Sequence, residues 1–186
     1  MIFPAKRRKN EAIRAKLPEI QGILNGQRLA PLGEIPFGHS TVGFSGCESI
    51  AVHNLLVLLG RPQSYQSVLR TIERDCWLFG WFGIFPHRIS KSLSRVGIST
   101  RKTTDRDELI RAVSDGFPVI LSYWTKRRLF SSIHTVCVYS CKDGTVLLNC
   151  FSRCADAALA NDFTAWMRSR LLITGYIPDE RSYKKE

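Results

Sequence analysis

The sequence predicts an α+β domain, with a helical first half packed on a small antiparallel sheet. Three observations carry this. Helix start and stop signals recur between residues 45 and 116. Beyond residue 117 the chain turns to runs of β-branched and aromatic residues, "PVILSYW", "IHTVCVYSC" and "TVLLNC". Between the last two runs stands Asp143-Gly144, the mark of a hairpin. Helices gathered ahead of antiparallel strands give the α+β order rather than the alternating one.

Residues 1–40 read as an N-terminal arm. Its stretch "NEAIRAKLPEIQGILNG" has weak helical character, and "LAPLGEIPFG" reads as a loop because proline and glycine break both regular periods. The domain proper is expected over 41–178, with a charged tail at 179–186. Its first helix is predicted over 46–59, where Ser45 and Glu48 form an S-x-x-E capping box and Gly60 and Pro62 supply the stop. Further helices are predicted over 63–75, over 86–96 with Pro86 in the first turn, and over 106–114 with Asp105 and Glu108 as a second capping box. A short helix in "DFTAWMRSRLL" and a last strand, "LLITGYIP", complete the chain.

Of 186 residues 44% are hydrophobic, enough for an ordinary core, so wholesale disorder is excluded. No apolar run nears the roughly 20 residues that span a bilayer, and membrane insertion is not expected. The basic N-terminus has no apolar segment behind it, so no secretory signal is read and a cytoplasmic location follows. Six cysteines in such a chain read as thiols rather than a disulfide framework. The net charge of +11 raises the prior for polyanions, but the cations are scattered, with small clusters at Lys6–Lys9 and Lys126–Arg128 and no interleaved aromatics. Solvated surface is therefore preferred over nucleic-acid contact.

The stretch "GFSGCESIAVHNLLVLLG" sets a lone thiol at the start of a greasy helix. With Ser45 as N-cap, Cys47 is expected as the second helical residue, where unpaired N–H groups and the helix dipole favour an anion. Thiolates form most readily at such positions, and the thiolate is the nucleophile. Glu48 opposes this by adding negative charge next door. A nucleophile also needs a base, and the base a group that orients it. Of four histidines, His53 faces away around the helix, His87 reads as surface, and His39 lies in the loop before the cysteine. His134 opens a strand, with Asn149 near the end of the next.

Cysteine on a helix start, then histidine on a strand, then asparagine on the following strand is the order of papain-like cysteine peptidases. The blocks "GCESIAVHNLLVLLG", "GIFPHRISKSLSRVG", "DGFPVILSYW" and "HTVCVYSCKDGTVLLN" succeed one another as in the double-glycine, bacteriocin-processing branch of that superfamily, which residues 40–177 resemble. The resemblance implies a papain-like fold, Cys47 as nucleophile, His134 as general base and acid, and Asn149 as the group orienting the imidazole. The glutamine that such peptidases carry shortly before the cysteine is absent from His39–Gly43, so Ser40 and Thr41 are the candidate oxyanion donors. Pairing Asn149 with His134 across the hairpin requires a four-residue loop over 140–143 rather than the tight Asp-Gly turn.

Trp81 and Phe82 in "CWLFGWFGIFP", and Lys126 and Arg127 ahead of the His134 strand, are candidate substrate contacts; the two cations would favour an acidic peptide. Cys137, Cys141, Cys150 and Cys154 flank the hairpin, but their spacing is not that of a zinc knuckle, and buried thiols are preferred. The expected function is a cysteine hydrolase acting on a peptide or protein through a thioester, with no metal or organic cofactor. The rival readings are an acyl or amide transferase on the same fold and a catalytically silent peptide- or polyanion-binding module.

Overall fold

The computed structural model describes residues 3–125 and 133–179. Two sheets form among them. A two-residue hairpin pairs β1 (Pro36–Phe37) with β2 (Ser40–Thr41). The larger sheet has six antiparallel strands in the order β3 (Thr100–Thr103), β8 (Leu171–Pro178), β4 (Val119–Trp124), β5 (Ile133–Cys141), β6 (Gly144–Leu148) and β7 (Ala158–Ala160). The helices are α1 (Pro4–Arg14), α2 (Val42–Ser45), α3 (Cys47–Leu58), α4 (Tyr65–Ile72), α5 (Pro86–Arg95), α6 (Arg106–Ser114) and α7 (Phe163–Arg168). The mixed α+β class expected from the sequence is the one observed.

Strand alternation splits the core into two. Ile120, Cys137 and Leu148 face one side, where α3, α4 and α5 add Ile50, Leu55, Leu69 and Leu93. Val119, Leu121, Val136 and Val138 face the other, covered by Leu109 and Val113 of α6 and Met167 of α7. Because successive strand residues point to opposite faces, such two-sided burial needs the near-continuous apolar run that β4 has. Helix α3 is buried along almost its whole length, Cys47 to Leu56, which is why its sequence is apolar all round rather than striped.

Four expectations are corrected. The weak helix expected over 10–26 lies earlier, at Pro4–Arg14: Pro4 starts it, and Pro18 lacks the amide donor a continuing helix needs. The expected arm is packed into the domain. Arg14 donates to Glu73 at 2.9 Å with both side chains buried, and Asn10 donates to the same carboxylate and to the Gly38 carbonyl at 2.8 Å. The Ser45–Glu48 capping box does not form. Ser45 closes α2, Gly46 is the N-cap of α3, and Cys47 is the first helical residue rather than the second. Finally, the hairpin turn is tight after all. Cys141 pairs with Gly144, leaving Lys142 and Asp143 as the two turn residues.

The second capping box forms in part. Asp105 accepts from the amides of Asp107 (2.9 Å) and Glu108 (3.3 Å), while Glu108 turns to Arg101 instead of closing the box. No helix among the described residues is long and apolar enough to cross a membrane.

Candidate active site

The segment running from Gly22 to Arg28 carries Gln27 and Arg28 to the site, and polar side chains fix its path. His53 of α3 binds the Gly22 carbonyl at 2.8 Å, and Asn54 both accepts from the Leu24 amide and donates to the Leu24 carbonyl, each at 2.8 Å. These two buried polar residues of α3 therefore satisfy backbone that the apolar helix could not. Farther along, Asn25 Oδ1 accepts from the Asn149 amide at 2.6 Å, the Gln27 amide donates to Asn149 Oδ1 at 3.1 Å, and the Arg28 amide donates to the Ser152 carbonyl at 2.7 Å.

A cleft of about 450 Å³ opens where β4 ends and β5 begins, and Cys47 and His134 both line it, with Gln27, Phe44 and Cys150 among their neighbours. The thiol of Cys47 lies against β5 at Thr135, whose main chain and hydroxyl both favour the ionised sulfur. Thr135 shares the strand face of Cys137, towards α3, whereas His134 shares the opposite face with Val136 and Tyr123, so sulfur and imidazole come together only as lining of the same cleft at the strand's start. Burial pushes the thiol well above its ordinary value; the Glu48 carboxylate beside it adds to the rise, and Thr135 opposes it. Cys47 is 7% exposed and carries a proton at rest.

His134 lies on the face of Tyr123, whose ring meets it edge-on at 6.0 Å. Its Nε2 binds the Asn149 carbonyl oxygen at 2.7 Å. A carbonyl only accepts, so Nε2 carries the hydrogen and Nδ1 is the basic nitrogen of the neutral ring. Burial holds His134 below its ordinary value, opposed by the carbonyls of Asn149 and Cys150. The carbonyl reaches the ring because Asn149, just past β6, takes a left-handed backbone with φ +58, which asparagine tolerates better than most residues. The main chain of Asn149 thus does what its carboxamide was expected to do. The carboxamide itself is turned to Gln27, at 3.1 and 3.4 Å.

Glu48 is buried behind the cysteine. Burial raises it to about 7, against hydrogen bonds from its own amide, the Cys47 thiol and the Ile84 amide. Among the described residues its Oε2 has no hydrogen-bond partner, and it faces Gly83, where an added Cβ would come within 2.9 Å of that oxygen. Glycine at 83 lets the aromatic loop close over the carboxylate.

The other expected site residues fall elsewhere. Ser40 and Thr41 form β2 and are not among the residues lining the cleft. Trp81 and Phe82 are exposed; Trp81 stacks on His39 at 5.1 Å and Phe82 tilts against Trp77, also away from the cleft lining. Lys126 and Arg127 lie outside the described residues. Of the hairpin cysteines, Cys137 is buried, Cys141 exposed, and Cys150 and Cys154 intermediate. Among the described residues no three His, Cys, Asp or Glu side chains gather to hold a metal ion.

Gln27 is the residue that sequence reasoning missed. It is buried, lines the cleft with Cys47, and its Nε2 donates to the carbonyls of Val42 (2.9 Å) and Gly43 (3.4 Å), directly ahead of the cysteine helix. The stretch before Cys47 has no glutamine, and Ser40 and Thr41 were the expected donors; Gln27 arrives instead from the segment read as an arm. No protein-family model matches the chain, and no curated protein sequence matches it.

Proposed function

We propose that the chain is a cysteine hydrolase that opens peptide bonds through a thioester acyl-enzyme on a papain-like fold. The observation that carries this reading is the shared cleft: Cys47 at the first turn of α3 and His134, its tautomer set by the Asn149 carbonyl, line one opening. At rest both groups are neutral, since burial raises the thiol and lowers the imidazole. Attack is then general-base catalysed. As the sulfur bonds to the substrate carbonyl carbon, the thiol proton passes to His134 Nδ1, and the Asn149 carbonyl stabilises the resulting imidazolium through Nε2–H. The same proton goes to the leaving amine as the C–N bond breaks. Water, deprotonated by His134, then releases the acid and restores the thiol.

The negative oxygen formed on attack needs donors. The Cys47 amide lies in the first helical turn, where amides have no helical acceptor. Gln27 Nε2, one of whose hydrogen bonds is a long 3.4 Å, is the second donor.

One observation favours a second reading, a silent peptide-binding module: the sulfur is almost wholly covered. Alkylation of the full-length chain with iodoacetamide, read by peptide mass spectrometry, separates the two. The hydrolase reading expects Cys47 to be modified in a His134-dependent manner, with His134→Ala slowing the reaction about 100-fold. Equal rates in both proteins, with no peptide from a library cut by the wild type, would leave the silent module standing.

A further inference from the structure

Two arginines stand on the rim of the Cys47 cleft, and among the described residues no carboxylate pairs with them. Arg28 and Arg153 are exposed and line the cleft, whose lining has no Asp or Glu. The amide of Arg28 donates to the carbonyl of Ser152 at 2.7 Å, so the fold brings the backbone at Arg28 next to the residue before Arg153, and both arginines line the one cleft. Arg28 Nε is steadied by the Gly43 carbonyl at 3.3 Å, and no ion pair forms at either arginine among the described residues. Two cations lining one cleft both attract an anion that enters it. The two larger clefts differ. In one, Arg101 and Arg111 face Glu108, Asp115 and Asp179; in the other, Arg106 and Arg168 face Asp105 and Asp107. Only at the cysteine, among these three openings, does one sign of charge stand alone. Phe44 (65% exposed) and Phe151 (59% exposed) flank the same rim with uncovered apolar surface.

We infer that this cleft takes a peptide bearing a carboxylate close to the scissile bond, held by Arg28 and Arg153 with apolar side chains against Phe44 and Phe151. The name "substrate" for that peptide rests on the hydrolase reading; the carboxylate site does not. Planar guanidinium groups match a carboxylate in two-point geometry, and the preference is for the charge rather than for size.

The test uses full-length Cys47→Ala, which cannot turn the peptide over, and fluorescent hexapeptides read by anisotropy. One arm compares an internal Glu with Gln, both C-terminally amidated. The other compares a free C-terminal carboxylate with its amide in a peptide without acidic side chains. Binding about tenfold tighter for the charged member of either pair is expected at low salt, weakening as salt rises. The preference disappears in Cys47→Ala carrying Arg28→Gln and Arg153→Gln; both sites are exposed, and a thermal melt checks folding, with Arg153→Gln alone as the milder variant. Equal binding of charged and neutral peptides in both arms, or a preference that survives the double change, overturns the inference. Should Cys47→Ala select the carboxylate while the wild type leaves the same peptides whole, the hydrolase reading fails and the site stands. Cleavage indifferent to charge gives the converse.

Discussion

The main-chain carbonyl of Asn149 accepts the hydrogen of His134 Nε2 at 2.7 Å, while the carboxamide of the same residue points away, to Gln27. The imidazole is therefore oriented by backbone, and the left-handed φ of +58 at Asn149 is what delivers that backbone. Asn149→Gly keeps both the carbonyl and the φ. It is expected to hold the His134-dependent alkylation of Cys47 within about threefold, while losing roughly 1–2 kcal/mol of stability with the carboxamide bonds. A collapse of reactivity in that variant, without unfolding, would return the orienting role to the carboxamide.

Gln27 offers a second check, because its side-chain amide is the second oxyanion donor of the proposed mechanism. Gln27→Ala is expected to lower kcat by about 100- to 1,000-fold with little change in KM, the pattern of a donor used only when charge develops. A rise in KM at constant kcat would make Gln27 a ground-state contact instead.

Much of the fold was legible in local sequence. The predicted bounds of β5 and β8 coincide with the observed ones, since β-branched and aromatic runs between clear breakers leave little choice. The start of α3 was legible to within a residue because glycines bracket it, although Gly46 rather than Ser45 caps it. The site was half legible. Cys47 and His134 stand at element starts, where a spacing argument reaches them. The segment from Gly22 to Arg28 does not, for it has no hydrophobic period and is fixed by bonds such as Gln27 to Asn149, 122 positions apart. Local propensity carries no trace of such pairs. The tight turn at Lys142-Asp143 was misjudged for the same reason: register was inferred from a side chain, and the contact is made by main chain.

The N-terminal helix is secured by a buried charge, so it is expected to behave as core rather than as a removable arm. Glu73 accepts from Arg14, Asn10 and the Gly38 amide in a site closed to water. Arg14→Met leaves that carboxylate without its counter-charge, and a loss of about 3–5 kcal/mol is expected in urea unfolding at neutral pH. Arg14→Met combined with Glu73→Gln should recover part of it, because the uncompensated charge is gone. A loss under 1 kcal/mol for the single change would show that water reaches Glu73 and that the helix is peripheral.

Glu48 should make the protein's stability fall as pH rises through the near-neutral range. Its carboxyl is raised from an ordinary 4.5 to about 7 by burial, so between those values the folded state keeps a proton that the unfolded state has lost. Stability from this group is therefore fully present below about 4.5 and declines until the folded carboxyl has ionised, by an amount on the order of 3 kcal/mol. Glu48→Gln removes that titration. The variant is expected to gain on the wild type at pH 8 relative to pH 5 in paired urea melts. It also removes the negative charge that helps to raise the Cys47 thiol, so the pH profile of Cys47 alkylation should move to lower pH. Parallel melts at the two pH values would mean that Glu48 is already solvated in the folded protein. An unmoved alkylation profile would mean that burial alone sets the thiol.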